Sequence, residues 1–485
     1  MSFRTIAFGT ALISSVRLIR LLAQFVAIPI LARLLTPAEY GLVAIAMPFV
    51  LFSMMLADAG IGMSLVRTLD NNKLAWSTSF WLSTLLGLVL GLIMAGFGPV
   101  AAAVFNEPQL TPMLIALSFV VLAQSIHLIP AAHLQKNNRF KTIACVELFA
   151  TFSGLGTAVY MAYHGYGAWA LIGQQIVYFA VRLVTSFCLS GYRPALIFRW
   201  SHVIEHVRFG RNVLGNGLVN YFSRSFDNWV VGKALGATML GFYSMAFLFA
   251  RLPAQMVTGP LQYVVYGQLA KINHDPEALG RAFLLLTRLL AAIIFPAMGM
   301  VAAAHDPVFT ALLSDKWAYA GVIFMLLAPA CALQAVVAVG ETILFALGRT
   351  QVQLRTSVEF ACIWIMALIA FVTFGLTSAA LTYCVVTILY QIRYLSIILP
   401  MLHLRFHHYL RALMTPLIAT GLSIAAYVVM RQVFDLGQWG LIGTCGALSI
   451  MAAAVTIALR QQQLMQEIRE LDLHISSQHV AQRDL

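Results

Sequence analysis

Fourteen stretches of mostly apolar residues, each about 20 residues or more, follow one another through this 485-residue chain with short loops between them. The hydrocarbon core of a bilayer is about 30 Å thick and an α-helix rises about 1.5 Å per residue, so each stretch can cross it. The stretches cover 8–34, 41–66, 76–104, 110–134, 142–163, 167–190, 209–232, 237–265, 282–304, 320–347, 355–375, 378–400, 409–430 and 439–459. The segment 209–232 is the least apolar of them. Only 10% of the residues are charged, against about 25% in a soluble domain. That excludes a soluble enzyme, a disordered chain, a collagen-like chain and a coiled coil. The expected fold is all-α, a polytopic membrane protein of about 14 transmembrane helices. No loop is long enough for a nucleotide-binding domain and no GxxxxGK[ST] is present. An ATP-driven pump on one chain and a glycosyltransferase with a soluble catalytic domain are therefore excluded. The first stretch is too long for a secretory signal, lacks a small-residue cleavage site, and is read as a retained helix.

The charge balance sets the expected orientation. The chain carries a net charge of +12, from 24 Arg and 6 Lys against 18 acids. In a membrane protein such an excess belongs to cytoplasmic loops, so no nucleic-acid partner is expected. With the N-terminus inside, nineteen basic residues, from Arg4 to Arg483, fall on the cytoplasmic side. Four (Arg33, Lys233, Lys316 and Arg431) fall on the other. Both termini are expected in the cytoplasm, and the polar tail after Arg460 reads as a short helix there. The six Cys all lie in apolar stretches without CxxC spacing and read as buried, inert thiols. No HExxH occurs, and neither a metal site nor a catalytic residue is expected.

A weak internal repeat runs through the chain. ARLLTPAEYGLVAIA at 32–46 aligns with GKALGATMLGFYSMA at 232–246, pairing Gly41 with Gly241 at an offset of 200. Further on the offset drifts to 210–212, where Gln124 meets Gln334, Glu147 meets Glu359 and Arg182 meets Arg393. Chance similarity between apolar segments is the competing reading; the matched Glu and Arg argue against it. The expected organisation is an N-lobe over 1–195, a C-lobe over 196–404, two further helices over 405–460 and a tail over 461–485. Six helices per lobe make the repeat parallel, one of the symmetries found in transporters.

Twelve charges remain inside the expected spans: Arg17, Arg20, Arg182, Arg224, Arg251, Arg288 and Arg393, with Asp58, Glu147, Asp227, Glu341 and Glu359. Each would cost about 2.5–3.5 kcal/mol at the centre of a bilayer, so they must line water or pair with one another. Helical spacing puts Ser14, Arg17, Arg20 and Gln24 on one stripe, and Asn212, Asn216, Asn220 and Arg224 on another. A third holds Arg251, Gln255, Thr258 and Gln262. Such stripes are expected to meet at a hydrated, cationic cavity that favours an anion. Arginine suits phosphate because its fork binds two oxygens and stays ionised in a poor dielectric. The expected substrate-binding set is Arg17, Arg20, Gln24, Asn216, Asn220, Arg224, Arg251, Gln255 and Arg288. Arg224 and Asp227 also stand at i and i+3, where they can simply neutralise each other.

Glu147 with Arg182, and Glu359 with Arg393, read as ion pairs bracing consecutive helices, placed where a cytoplasmic gate would also close. Asp58 and Glu341 either carry a coupling ion or pair with Arg17, Arg20 or Arg288. With Asp227 these make up the coupling and gating candidates. Pro29, Pro48, Pro253, Pro296 and Pro329 fall inside helices, as kinks or as hinges.

The segment 32–46, followed by ADAGIGMSLVR at 57–67, resembles the opening of Wzx-type polysaccharide transporters, in the multidrug/oligosaccharidyl-lipid/polysaccharide exporter superfamily. GATMLGFYSMAFLFARLP at 236–253 and ALGRTQVQLRTSVEF at 346–360 look like their counterparts in the second half. The resemblance implies two six-helix lobes around a central cavity, plus two C-terminal helices, working by alternating access without covalent chemistry. It implies a flippase for undecaprenyl-pyrophosphate-linked oligosaccharide in a bacterial inner membrane, serving exopolysaccharide, capsule or O-antigen (lipopolysaccharide) biosynthesis. The alternatives are a cation-coupled multidrug exporter of the same fold and a lipid-II flippase. An integral-membrane polymerase would want a sizeable external loop, and a passive scaffold leaves twelve buried charges unexplained. No cofactor is expected beyond a proton or Na⁺ gradient. The expected partners are the lipid-linked substrate, membrane lipids, the polymerase and other assembly proteins.

Overall fold

The computed structural model describes residues 3–58, 60–67, 73–200, 204–435 and 437–460, with the side chains of 3–11, 63, 67, 205–220, 222–224, 260–261, 263–264 and 271 left out. Its regular elements are helical. They run α1 (Phe3–Leu34), α2 (Pro37–Asp58), α3 (Ile61–Arg67), α4 (Lys73–Phe105), α5 (Leu110–Lys136), α6 (Phe140–Tyr163), α7 (Trp169–Ser190) and α8 (Ile204–Pro253). After a π-helical turn at Ala254–Thr258 come α9 (Gly259–Leu269), α10 (Pro276–Ala303), α11 (His305–Leu313), α12 (Ala318–Val337) and α13 (Val339–Ala346). The last four are α14 (Thr350–Phe371), α15 (Leu376–Met401), α16 (Phe406–Val433) and α17 (Gln438–Leu459).

Among the described residues, thirteen helices are long and apolar enough to cross a membrane, one fewer than the fourteen stretches. The difference lies in α8. The expected spans 209–232 and 237–265 are not separated by a loop. A single residue, Gly236 (φ 84, ψ 172), leaves the helical region and divides α8 into arms 204–235 and 237–253. Glycine alone takes such a φ without steric cost. The second span is likewise broken after Asp58, where Gly60 is left-handed (φ 67) before α3 begins. The expected tail helix lies outside the described residues.

The chain packs as two units, Met1–Gly241 and Phe242–Leu485, with the division inside α8. In the first, α4 packs on α5, α5 on α7, α7 on α6, α6 on α1, and α2 on α5. Without a hydrophobic drive inside lipid, small residues that let helices approach closely carry such packing. A Cβ at Gly87 of α4 would come within 2.3 Å of the Ser125 hydroxyl of α5. In the second unit α10 is the hub, packing on α12, α16 and α17, while α15 joins α12 to α14.

Within the first unit, one close helix contact brings together the two segments matched at the offset of 200. A Cβ at Gly41 of α2 would lie 1.7 Å from the Ala237 carbonyl oxygen, and one at Gly241 of α8 would lie 1.8 Å from that of Pro37. Residues 37 and 41 thus meet 237 and 241 reciprocally.

All six cysteines are free, but only Cys331 and Cys445 are buried; Cys145, Cys188 and Cys362 are exposed and Cys384 is half-buried. Apolar surroundings in sequence here mean the outer apolar surfaces of helices as often as the protein interior.

Candidate functional site

The charged centre of the first unit is built around Glu147 on α6. Its Oε2 accepts from Arg20 Nη1 (2.6 Å) and from the Tyr178 hydroxyl (3.0 Å). Its Oε1 accepts from Arg182 Nε (2.7 Å). Arg20 Nη2 also donates to the Tyr178 oxygen (3.0 Å), and Arg182 Nη1 donates to Gln124 Oε1 (3.0 Å). One carboxylate therefore ties α1 to α6 and α7, and Arg182 extends the chain to α5. The Glu147 side chain is 13% exposed, against 22% for Arg182 and 30% for Arg20. Two guanidiniums against one carboxylate leave a formal charge of +1 in the cluster.

The pair expected from spacing, Glu147 with Arg182, is thus half of a larger group. Arg20, placed by its stripe with the substrate ligands, has Glu147 and Tyr178 as partners. Tyr178 escaped the sequence reading because an isolated aromatic on an apolar helix usually means packing. Its position one turn before Arg182 on α7 was the available signal. Gln124 was visible only as the repeat counterpart of Gln334.

The remaining stripe of α1 has a distinct orientation. With Arg20 at zero and about 100° per residue, buried Val16, Ala27 and Leu31 lie within about 40° of it. Exposed Ser14, Arg17 and Gln24 occupy an arc at about 40–120°. The exposed apolar Leu18, Ile19, Leu22, Val26, Ile30 and Leu34 sweep the other side, about 160–320°. So α1 has two accessible faces. One is suited to hydrocarbon; the other carries a guanidinium that hydrocarbon would penalise by about 2.5–3.5 kcal/mol.

In the second unit the counterpart cluster is looser. Glu359 accepts from Arg355 Nε at 2.9 Å, one turn away on α14, whereas Arg393 Nη2 stands at 3.7 Å. Arg355, one of the nineteen basic residues counted on the cytoplasmic side, is thus the nearer partner. The carboxylate's depth decides this: Glu359 is 28% exposed and its two arginines 75% and 53%, so the local i,i+4 pair wins over the cross-helix one.

Glu341 lines a polar cavity of about 70 Å³ with Gln334, Gln353, Thr356, Ser357 and Tyr394. Tyr383 donates to Gln334 Oε1 (3.2 Å) and Tyr394 to Gln353 Oε1 (3.0 Å), while the Tyr390 hydroxyl donates to the Thr356 carbonyl. Arg251 is exposed and lies 4.8 Å over the Phe247 ring. Gln255 is exposed in the π-helical turn that follows Pro253. A π turn within a helix is a common mark of a functional position. Arg288 lines a small cavity with Arg460, at the seam of α10 with α16 and α17. Asp58 is half-buried at the end of α2, and buried Asp227 accepts from the Asn228 backbone N–H (2.9 Å). The side chains of Asn212, Asn216, Asn220 and Arg224 lie outside the described residues. Among the described residues no group of three His, Cys, Asp or Glu could hold a metal.

A family model described as a polysaccharide biosynthesis protein matches residues 30–321, more than half of the chain. The chain belongs to this polysaccharide biosynthesis protein family. As a member it is similar to the succinoglycan biosynthesis transport protein ExoT of Rhizobium meliloti (strain 1021), at 28% identity over 63% of this chain and 62% of ExoT. It is also similar to the lipopolysaccharide biosynthesis protein WzxC of Escherichia coli (strain K12), at 27% identity over 59% of each chain. These alignments span about three fifths of the two relatives' lengths. Among solved structures, lipid II flippase MurJ in an inward closed conformation matches with a TM-score of 0.74, covering 95% of this chain and 100% of MurJ at 15% identity. At that identity the match shows the fold. The family member is a multi-pass membrane protein, and its fold is like that of MurJ.

Proposed function

We propose that the protein is a flippase that moves polyprenyl-pyrophosphate-linked oligosaccharide from the cytoplasmic to the outer leaflet of a bacterial inner membrane by alternating access. Both termini are cytoplasmic in this reading. The product feeds exopolysaccharide or lipopolysaccharide assembly, with a polymerase as the next partner, and no covalent bond changes. The observation that carries it is the cationic polar face of α1, set apart from that helix's apolar face, in a member of a polysaccharide biosynthesis family. On the first unit Arg17 compensates the charge of the pyrophosphate and Gln24 meets sugar hydroxyls; Arg251 and Gln255 offer the same two kinds of contact on the second unit. A drug exporter would instead need acids and aromatics to hold a cation.

Arg17→Ala with Arg251→Ala should lower polymer export by about a hundredfold at unchanged protein level, the effect expected from losing two charge-assisted contacts. Export at wild-type level would reject the cationic site, and drug resistance on overexpression would favour the exporter.

Glu341 is assigned the coupling ion in this reading, because its carboxylate lines a polar cavity with Gln334, Gln353, Thr356 and Ser357. Translocation in proteoliposomes should respond to an imposed proton or Na⁺ gradient, and Glu341→Gln should remove that response while slow downhill movement persists. A variant with an unchanged response would take Glu341 out of coupling; running each gradient alone identifies the ion.

A further inference from the structure

At one end of the first unit, the connections after α1, α4 and α6 come together over α8. They line an open cavity of about 460 Å³, with Glu39, Glu107, Gln109, Tyr166, Trp169 and Ala237 among its residues. No Arg or Lys lines it, in a chain where basic residues outnumber acids 30 to 18. By the charge count these connections lie on the face away from the cytoplasm.

Glu39 is fixed before any ligand arrives. Glu39 Oε2 accepts from both the backbone N–H (2.7 Å) and the hydroxyl (2.9 Å) of Thr36. Its Oε1 is left over Gly167, where a Cβ would come within 2.4 Å of it. Gly167 is left-handed (φ 57), so the position favours glycine on both counts. Beside it Tyr166 is 57% exposed, and Trp169 opens α7. Gln109 precedes α5 but caps no backbone group, so its amide is available.

Flat aromatic faces with a few placed acceptors and an amide suit a ring that is apolar on its faces and hydroxylated at its rim. Two carboxylates line it, while the nearby Lys233 ammonium is taken up by the Val104 carbonyl one turn before Glu107, so the lining itself disfavours phosphate or uronate. We propose that this cavity binds a neutral pyranose of the oligosaccharide on the outer face of the membrane. The proposal rests on the flippase reading for its substrate class. It gives the protein a second subsite, opposite in charge to the arginine site, that takes the sugar end and repels the pyrophosphate end.

Saturation-transfer NMR on the full chain in nanodiscs tests this, with glucose, galactose, N-acetylglucosamine and glucuronate as probes. At least one neutral sugar should receive transfer, with glucuronate about tenfold weaker. Glu107→Gln with Tyr166→Ala should cut the neutral signal about tenfold, the loss expected for one hydrogen bond to a charged group. Gln109→Ala, which removes no helix cap, provides a second variant if that pair misfolds, and should weaken the signal about threefold. Transfer unchanged in the variants, equal for glucuronate, or absent for every neutral sugar overturns the site. Free sugars bind without being moved, so the two ideas fail separately. Translocation without sugar transfer discards this subsite, and sugar transfer without translocation discards the flippase reading.

Discussion

Gly41→Val should leave little folded protein in the membrane and no measurable polymer export. At this position the neighbouring atom is the Ala237 carbonyl oxygen, 1.7 Å from where a Cβ would stand. That oxygen belongs to a helix backbone and cannot swing away as a side chain would. Overpacking a core usually costs about 1–3 kcal/mol; here two helix backbones must part, which places the cost at or above the top of that range. Gly241→Val should behave alike, since its Cβ would meet the Pro37 carbonyl oxygen at 1.8 Å. The contact is reciprocal, so the double variant should cost clearly less than the sum of the two. Once α2 and α8 are apart, the second side chain has room. Thermal unfolding of the two single variants and the double in detergent checks this. Gly96→Ala, with nothing within 4 Å of its Cβ, serves as the control. Additive losses would show that the two glycines do not share one crossing.

Glu147→Ala should destabilise the first unit by about 3 kcal/mol, the low end of the cost of leaving a buried charge without its partner, because the cluster is part-buried. Arg20 and Arg182 would then face each other across the vacated carboxylate, with only Tyr178 and Gln124 as hydrogen-bond partners among the contacts described above. Removing Arg20 as well, by Arg20→Gln, should recover part of the loss, and a mutant cycle between Glu147 and Arg182 should show coupling of about 1–3 kcal/mol. The matching change in the second unit, Glu359→Ala, should cost about 1 kcal/mol or less. Its arginines are 75% and 53% exposed, and exposed pairs contribute little. Equal losses at Glu147 and Glu359 would contradict the difference in burial. The repeat places matching residues in both halves, yet only one half buries them as a connected group.

Hydropathy and charge were legible along the chain because each is a property of one segment. Twenty apolar residues mark a span wherever they sit, and the same counting isolated the twelve interior charges. The pairing of Glu147 with Arg182 was legible too, from matched positions on consecutive helices. Much of the site was not. Tyr178 and Gln124 join the cluster because α5, α6 and α7 pack together, and nothing in an isolated helix distinguishes them from ordinary interior residues. Spacing grouped Arg20 with Arg17 and Gln24, whereas the packing of α1 on α6 turned Arg20 toward Glu147 and left the other two on a separate face.

The sequence by itself determined an all-helical membrane protein, its spans, its repeat and its store of interior charge, because burial in a bilayer is paid residue by residue. Only the tertiary structure decided which of those charges neutralise one another, that Gly236 would stand where a loop was expected, and that Gly41 and Gly241 would cross. Each of those depends on the distance between residues far apart in the chain, and that distance is set by how helices pack.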